Sequence, residues 1–279
     1  MTSFSPDVAN IIGLYVGRYC LLSWIDPDKL SNRYLSLNHK AIDYLTANPG
    51  RIDWQYLSKN TAAISLLKAN PDRIDWSFLS ENSRAVSLMI ADPNKIDWFH
   101  LSQNTSTTAI NLLADNLDKI DWQNLSANPA AMELLLANPN KIDWDWLSSN
   151  PSAIPLLSAN LDKVNWIHLS WNKNAISLMA NNIEKINWYS LCMNPAAIEL
   201  LTIYPEKIHW DSLSGNPAAI PLLRANLIKV DWYRLSGNPA AIELLRENQR
   251  KIRWDVLSKN PSIFELRADP LLIAILKNL

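Results

Sequence analysis

The chain has 279 residues, 48% of them hydrophobic and 19% charged, with a formal net charge of −1. That balance suits one soluble, elongated domain and excludes the strongly basic footprint of a general polynucleotide binder. Two cysteines, Cys20 and Cys192, are too few for a disulfide framework and point to a reducing, intracellular setting.

In chain order, the first stretch carries no signal peptide or membrane span, because Asp7, Asn10 and Arg18 interrupt Ile11 to Leu22. Val8 to Trp24 reads as a capping helix, so residues 1–26 are expected to cover the first unit of a tandem array at residues 27–262. In that array the block Lys-Ile-Asp-Trp-x-x-Leu-Ser-x-Asn-Pro-x-Ala-Ile-x-Leu-Leu-x-Ala-Asn returns every 22 residues, and one position is filled by Trp54, Trp76, Trp98, Trp122, Trp144, Trp166, Trp188, Trp210, Trp232 and Trp254. Asn32 takes the tryptophan place in an earlier, degenerate unit, which makes eleven units. The one longer step, 24 residues between Trp98 and Trp122, places an insertion at Thr105 to Thr108 that is expected to bulge, bend the array or add a contact loop. Residues 263–279, with apolar Leu271 to Leu276, are expected to cap the far end.

Within a unit, Ile52-Asp53-Trp54-Gln55-Tyr56-Leu57-Ser58 predicts a short helix. Asp53 is its N-cap, and Ile52 packs on Leu57 as a hydrophobic staple. Asn60, followed by proline in most sister units, starts a second helix whose apolar face holds Ile64, Leu66 and Leu67. Asn70-Pro71 stops it. A leucine-rich repeat has similar length, but its strand needs leucine where this chain has Gln55, Asp145 or Tyr189. The expected fold is all-α: an α-solenoid of about eleven helix-turn-helix repeats with N- and C-terminal capping helices. At roughly 8 to 10 Å between packed helices, that is a rod or arc on the order of 100 Å long.

Three ladders run through the array. Asn38, Asn60, Asn82, Asn104, Asn128, Asn150 and their successors to Asn260 are unbroken. A cap alone tolerates Ser, Thr or Asp, so uniform asparagine implies that carbonyl and amide are both used, bonding one unit to the next. The tryptophans read as an interlocking core, ahead of an aromatic track for bases or sugars. The cations Lys29, Arg51, Arg73, Lys95 and their successors to Lys251 follow helix ends, where they meet free carbonyls. Acidic neighbours such as Asp72, Asp118 and Glu184 neutralise them, which disfavours phosphate tracking. The Asn104-Thr105-Ser106 sequon sits on a capping asparagine, a poor glycosylation acceptor.

Catalysis finds no support: the four histidines are scattered, no metal-ligand spacing occurs, and the five glycines form no phosphate loop. The expectation is a non-enzymatic protein with no cofactor, metal or nucleic acid. Recognition then falls to positions that the repeat leaves free. The third residue of the first helix and the residue before the asparagine share a ridge. Its large members, Tyr34, Tyr56, Phe78, His100, Trp146, His168, Trp171 and Met193, are the candidate protein-binding residues. The alternative is lateral packing between units.

The Lys-Ile-Asp-Trp-x-x-Leu-Ser-x-Asn-Pro-x-Ala-Ile units resemble the short tandem repeats of giant DNA viruses that infect amoebae and algae. The likeness covers most of the chain, including the lead-in from Ser5-Pro6-Asp7 to Ile25-Asp26 and the closing Asn260-Pro261-Ser262-Ile263-Phe264-Glu265. The resemblance implies repeat-mediated interaction in host cytoplasm or virion, and it brings no established activity. The chain ends soon after Asp269-Pro270, where a longer polar extension is expected from the family. The leading expectation is a viral scaffold for protein–protein interaction; a virion component bridging coat or core proteins and a nucleic-acid-tracking solenoid stand behind it.

Overall fold

The structure, a computed structural model, describes residues 18–267. It is a solenoid of eleven units, all-α apart from one two-stranded ribbon. Each unit opens on a first helix, such as Trp54–Lys59, whose N-cap Asp53 accepts from the Tyr56 amide. The asparagine after it governs a tight turn, tightened to a 3-10 turn at Pro129–Ala131 and its relatives, and a second helix such as Met132–Ala137 comes next. In most units a second 3-10 turn, Pro139–Lys141 for instance, returns the chain to the next unit. Proline at the start of these turns fits because the position needs no amide donor. Leu57, Ala63 and Leu67 of one unit, and their equivalents in the others, are fully buried and make one continuous seam.

The insertion makes no bulge. Ser106 caps a second helix that is simply longer, Thr107–Ala114, and the array runs on.

The asparagine ladder is bonded at every unit, with the second amide bond missing only at Asn104. Asn60 Nδ2 donates to Ser36 O (2.9 Å) and Asn38 O (3.2 Å) of the preceding unit, while its Oδ1 accepts from Ala62 N (3.0 Å). Asn82, Asn128 and Asn150 repeat that pattern. A serine ladder runs beside it. Ser36 Oγ accepts from Asp53 N of the next unit (2.9 Å) while donating to Asn32 O. Cys192 fills one serine place, where its Sγ accepts from His209 N at 3.3 Å, and burial pushes the thiol pKa up. With Asn104 fully buried and its amide spent on Ser80 O, the sequon asparagine is no surface acceptor.

The same bonds join unit 11 to unit 1. Asn38 Nδ2 donates to Ser258 O (3.2 Å) and Asn260 O (3.1 Å), and Ser258 Oγ accepts from Ser31 N (2.8 Å). Unit 1 therefore stands to unit 11 as unit 2 stands to unit 1, and the array is a closed ring rather than the expected open rod or arc. Two strands lie across the junction: β1 (Arg18–Leu21) pairs antiparallel with β2 (Phe264–Arg267), in the register Arg18↔Arg267 to Leu21↔Phe264. Leu22 N extends the clasp to Ile263 O, and buried Phe264 lies against the Tyr44 ring. Within the described residues, the stretches expected to form capping helices hold these strands instead, at Arg18–Leu21 and Phe264–Arg267. A ring has no terminal unit whose seam needs covering, so the ends are free to pair with each other. Residues 1–17 and 268–279, including Val8 and Leu271 to Leu276, lie outside the described residues.

The first helices of successive units approach one another along their lengths, whereas the second helices stand farther apart. In a closed ring the closer row is the inner wall. With roughly 8 Å between adjacent helices and about 10 Å for a helix with its side chains, eleven units leave a bore on the order of 15–20 Å.

Candidate functional site

On each first helix, the fourth and fifth residues (Leu57 and Ser58 in unit 2) are buried in the seam, and the second, third and sixth (Gln55, Tyr56, Lys59) face away from it. Those three positions line the bore. Side chains there converge enough to reach past a neighbour: Arg234 of unit 10 donates to Tyr189 Oη and Met193 Sδ of unit 8.

The tryptophan ladder lies elsewhere. All ten indoles are half-buried against the seam, and none belongs to the fully buried set. Seven carry the lysine of the next unit over the ring. Lys95 lies 4.7 Å from the Trp76 centroid, Lys163 lies 4.4 Å from Trp144, and Lys29 closes the circle 5.1 Å from Trp254. The others are Lys119, Lys185, Lys229 and Lys251. In these units the lysine that follows a helix end also meets the indole of the preceding unit, a cation–π stack between units, while the indoles pack against the core. Arg51 differs: its guanidinium donates to Pro27 O, Leu30 O and Tyr44 Oη.

The ridge residues divide into two groups. Tyr56, Phe78 and His100 form a file along the wall, with centroids 5.3 and 6.4 Å apart, under Arg33 at 4.2 Å from Tyr56. Beside them Glu81 pairs with Lys59 and His100, and His100 Nδ1 lies 2.8 Å from Asp97 Oδ2. Burial works to raise the Asp97 carboxyl, but hydrogen bonds from Ser77 and His100 hold it below the ordinary carboxylate value. These three rings engage one another laterally, the arrangement that the packing alternative describes, and Tyr34 is likewise half-buried.

The second group is different. Trp146, His168 and Trp171 line a groove of about 670 Å³ that runs over units 6 to 8, and Met193 lines a smaller adjoining cavity with Arg234. His168 is held by a 2.6 Å contact from Nδ1 to Asp145 O and by the Trp146 ring at 5.3 Å. Two further members of the groove, Ile167 and Tyr189, occupy the second helical position and so lie off the ridge. They are as exposed as the tryptophans: Trp146 37%, Ile167 54%, Trp171 49% and Tyr189 39%. Their signal was their residue type at a position filled by Gln, Asp or Ser in six other units. Elsewhere exposed apolar side chains occur singly, Phe99 and Tyr233 on first helices and Ile90, Leu136 and Ile203 on second helices, and isolated cases are ordinary. Four together around one concavity are not.

Among the described residues no group of three or more His, Cys, Asp or Glu is placed to hold a metal ion, and no helix is long and apolar enough to cross a membrane. Comparison with family models, with curated proteins and with solved structures finds no match.

Proposed function

We propose that the ring is an interaction module that holds a segment of a partner protein against its inner wall at units 6 to 8. One observation carries the reading: Trp146, Ile167, Trp171 and Tyr189 share a groove with little polar lining and keep a third to a half of their surface in water. Exposed aromatic groups at one concave site carry a hydration cost that a partner relieves, and tryptophan and tyrosine dominate binding energy where it has been dissected. The curved wall adds reach, since a segment lying along it meets three units at once. On the strength of the repeat resemblance, the partner is taken to be a protein of the infected cell or the virion.

The test is a photo-crosslinking amino acid at Ser149, on the groove lining, in the full chain expressed in its native setting. The expected product is one discrete protein adduct, lost when Trp146→Ala and Trp171→Ala are combined. Adducts unaffected by that pair, or adducts with polynucleotide alone, refute the proposal.

A further inference from the structure

The chain's treatment of its own aromatic rings indicates what the groove accepts. Seven ladder tryptophans lie under a lysine, and Tyr44, Tyr56 and Tyr233 lie under Arg51, Arg33 and Arg253. In the groove, Tyr189 is met by Arg234. Trp146 and Trp171 are more exposed than any ladder tryptophan, yet among the described residues no Lys or Arg lies over either. Trp171 and the part of Trp146 not covered by His168 present π-electron density to a cation from outside.

A carboxylate stands beside one of them. Asp145 precedes Trp146 in the same short helix (Trp144–Leu147) and is exposed. Its Oδ1 accepts from Asn165 Nδ2 at 3.0 Å, and its main-chain oxygen meets His168, so the residue is held in place at the groove's edge. Among the described residues it has no Lys or Arg partner within ion-pair distance, unlike Glu81 or Glu247. Along the second helical position the wall reads Asp145, Ile167, Tyr189 and Asp211 in successive units, an apolar middle between two acids. The Asp211 end is met by Arg234, which bonds Tyr189 and Met193, and by His209 against the Tyr189 ring. Asp211 has no ion pair among the described residues either, but at that end Arg234 already lies over the Tyr189 ring, so the acid beside an indole with no cation over it is the one at Trp146.

We propose that the occupant is an extended peptide segment in which an arginine is followed, one or two residues later, by a bulky apolar side chain. The guanidinium stacks on Trp146 and pairs with the Asp145 carboxylate; the apolar group enters between Ile167, Trp171 and Tyr189. Arginine suits this better than lysine, because its planar head stacks on an indole and meets a carboxylate through two N–H groups. At roughly 8 Å per unit the groove spans about 16 Å, the length of about five extended residues. The proposal deepens the reading of the groove as a protein-binding site and rests on it.

The test selects a random heptapeptide library, displayed on phage, against the intact ring, with parallel selections on Asp145→Asn, Trp146→Ala and Trp171→Ala. All three side chains are exposed, and an unchanged melting profile certifies each fold. The expected winners carry Arg, and less often Lys, one or two places before Leu, Ile, Met or Phe. A synthetic winner should bind Asp145→Asn and Trp146→Ala about tenfold more weakly. Its affinity should also fall with salt for the native ring and much less for Asp145→Asn. Peptides that need Trp171 but show no basic preference, or that bind Asp145→Asn as tightly as the native ring, overturn this inference and leave the protein-binding reading standing. Recovery of no groove-dependent peptide, with or without binding of an oligonucleotide or oligosaccharide there, overturns both.

Discussion

Asn38→Asp distinguishes a ring from an open array with one substitution. In an open array Asn38 belongs to the first unit and has nothing before it to bond, so its amide is free to face water. In the ring that amide, 2% exposed, donates to Ser258 O and Asn260 O. Aspartate keeps the Oδ1 that accepts from Lys40 N and sets an acceptor oxygen against the two carbonyls. Two bonds worth about 1 kcal/mol each are lost, the Ser258 carbonyl is left unsatisfied while Asn260 O keeps Ile263 N, and a carboxylate is buried without a counter-ion, for a total of about 3–5 kcal/mol. The same change at Asn150, which bonds Ser126 O and Asn128 O, is the internal reference. Urea unfolding of the two variants should give destabilisations equal to within about 1 kcal/mol, the scale of context dependence in such bonds. A variant at position 38 that unfolds like the native chain, beside a strongly destabilised variant at 150, would refute closure.

Trp144→Ala removes a half-buried indole and its contact with Lys163, and should cost about 2–3 kcal/mol by thermal or urea unfolding, below the 3–5 typical of a fully buried tryptophan. Combining Trp146→Ala with Trp171→Ala should cost less than about 1 kcal/mol, since both rings are exposed; severe destabilisation would return them to the core. The Asp97 carboxyl should titrate below the ordinary aspartate value by carbon-detected NMR and rise toward it in Ser77→Ala. Because the folded value is the depressed one, Asp97 stabilises the ring above the unfolded carboxyl value, and this is lost as pH falls through the folded one. Leu22→Pro, which removes the main-chain donor that bonds Ile263 O in the clasp, should raise hydrogen exchange at Arg18–Leu21 and Phe264–Arg267 before it affects units 5 to 7; uniform change around the ring would show that the clasp is no separate element.

Period and residue type made the units legible. A 22-residue step with Asp before Trp and Leu three further on is a capped helix wherever it occurs, and an asparagine that never gives way to Ser or Thr must use its amide as well as its carbonyl. Closure was not legible in the period, because a repeat length carries no rotation angle. Eleven units close only if each turns about 33°, that is 360°/11, and an error of a few degrees per unit accumulates into an open spiral. One sequence signal did bear on it. Unit 1 keeps Ser36, Asn38 and an apolar seam of Leu35, Ala41 and Leu45 while losing its tryptophan, although an end unit facing water has no use for that seam. In the groove, the ridge located Trp146, His168 and Trp171. It missed Ile167 and Tyr189 because the second helical residue lies one step outside the i, i+3 pair used to draw it.

The junction between Asn38 and Asn260 also sets a clock on biosynthesis. The seam of unit 1 leaves the ribosome long before its only partner: 222 residues separate the two asparagines, or about 10–45 s at 5–20 residues per second. Every other seam is covered as soon as the next 22 residues appear. During that interval the nascent chain carries an open apolar edge of the same shape as the one at the far end of any finished but unclosed sibling. Two chains that meet in that state can join end to end through the same ladder bonds, giving a spiralling, growing filament in place of two closed rings. Crowded synthesis on a polysome should therefore favour such exchanged assemblies, and dilution during refolding should favour the single ring.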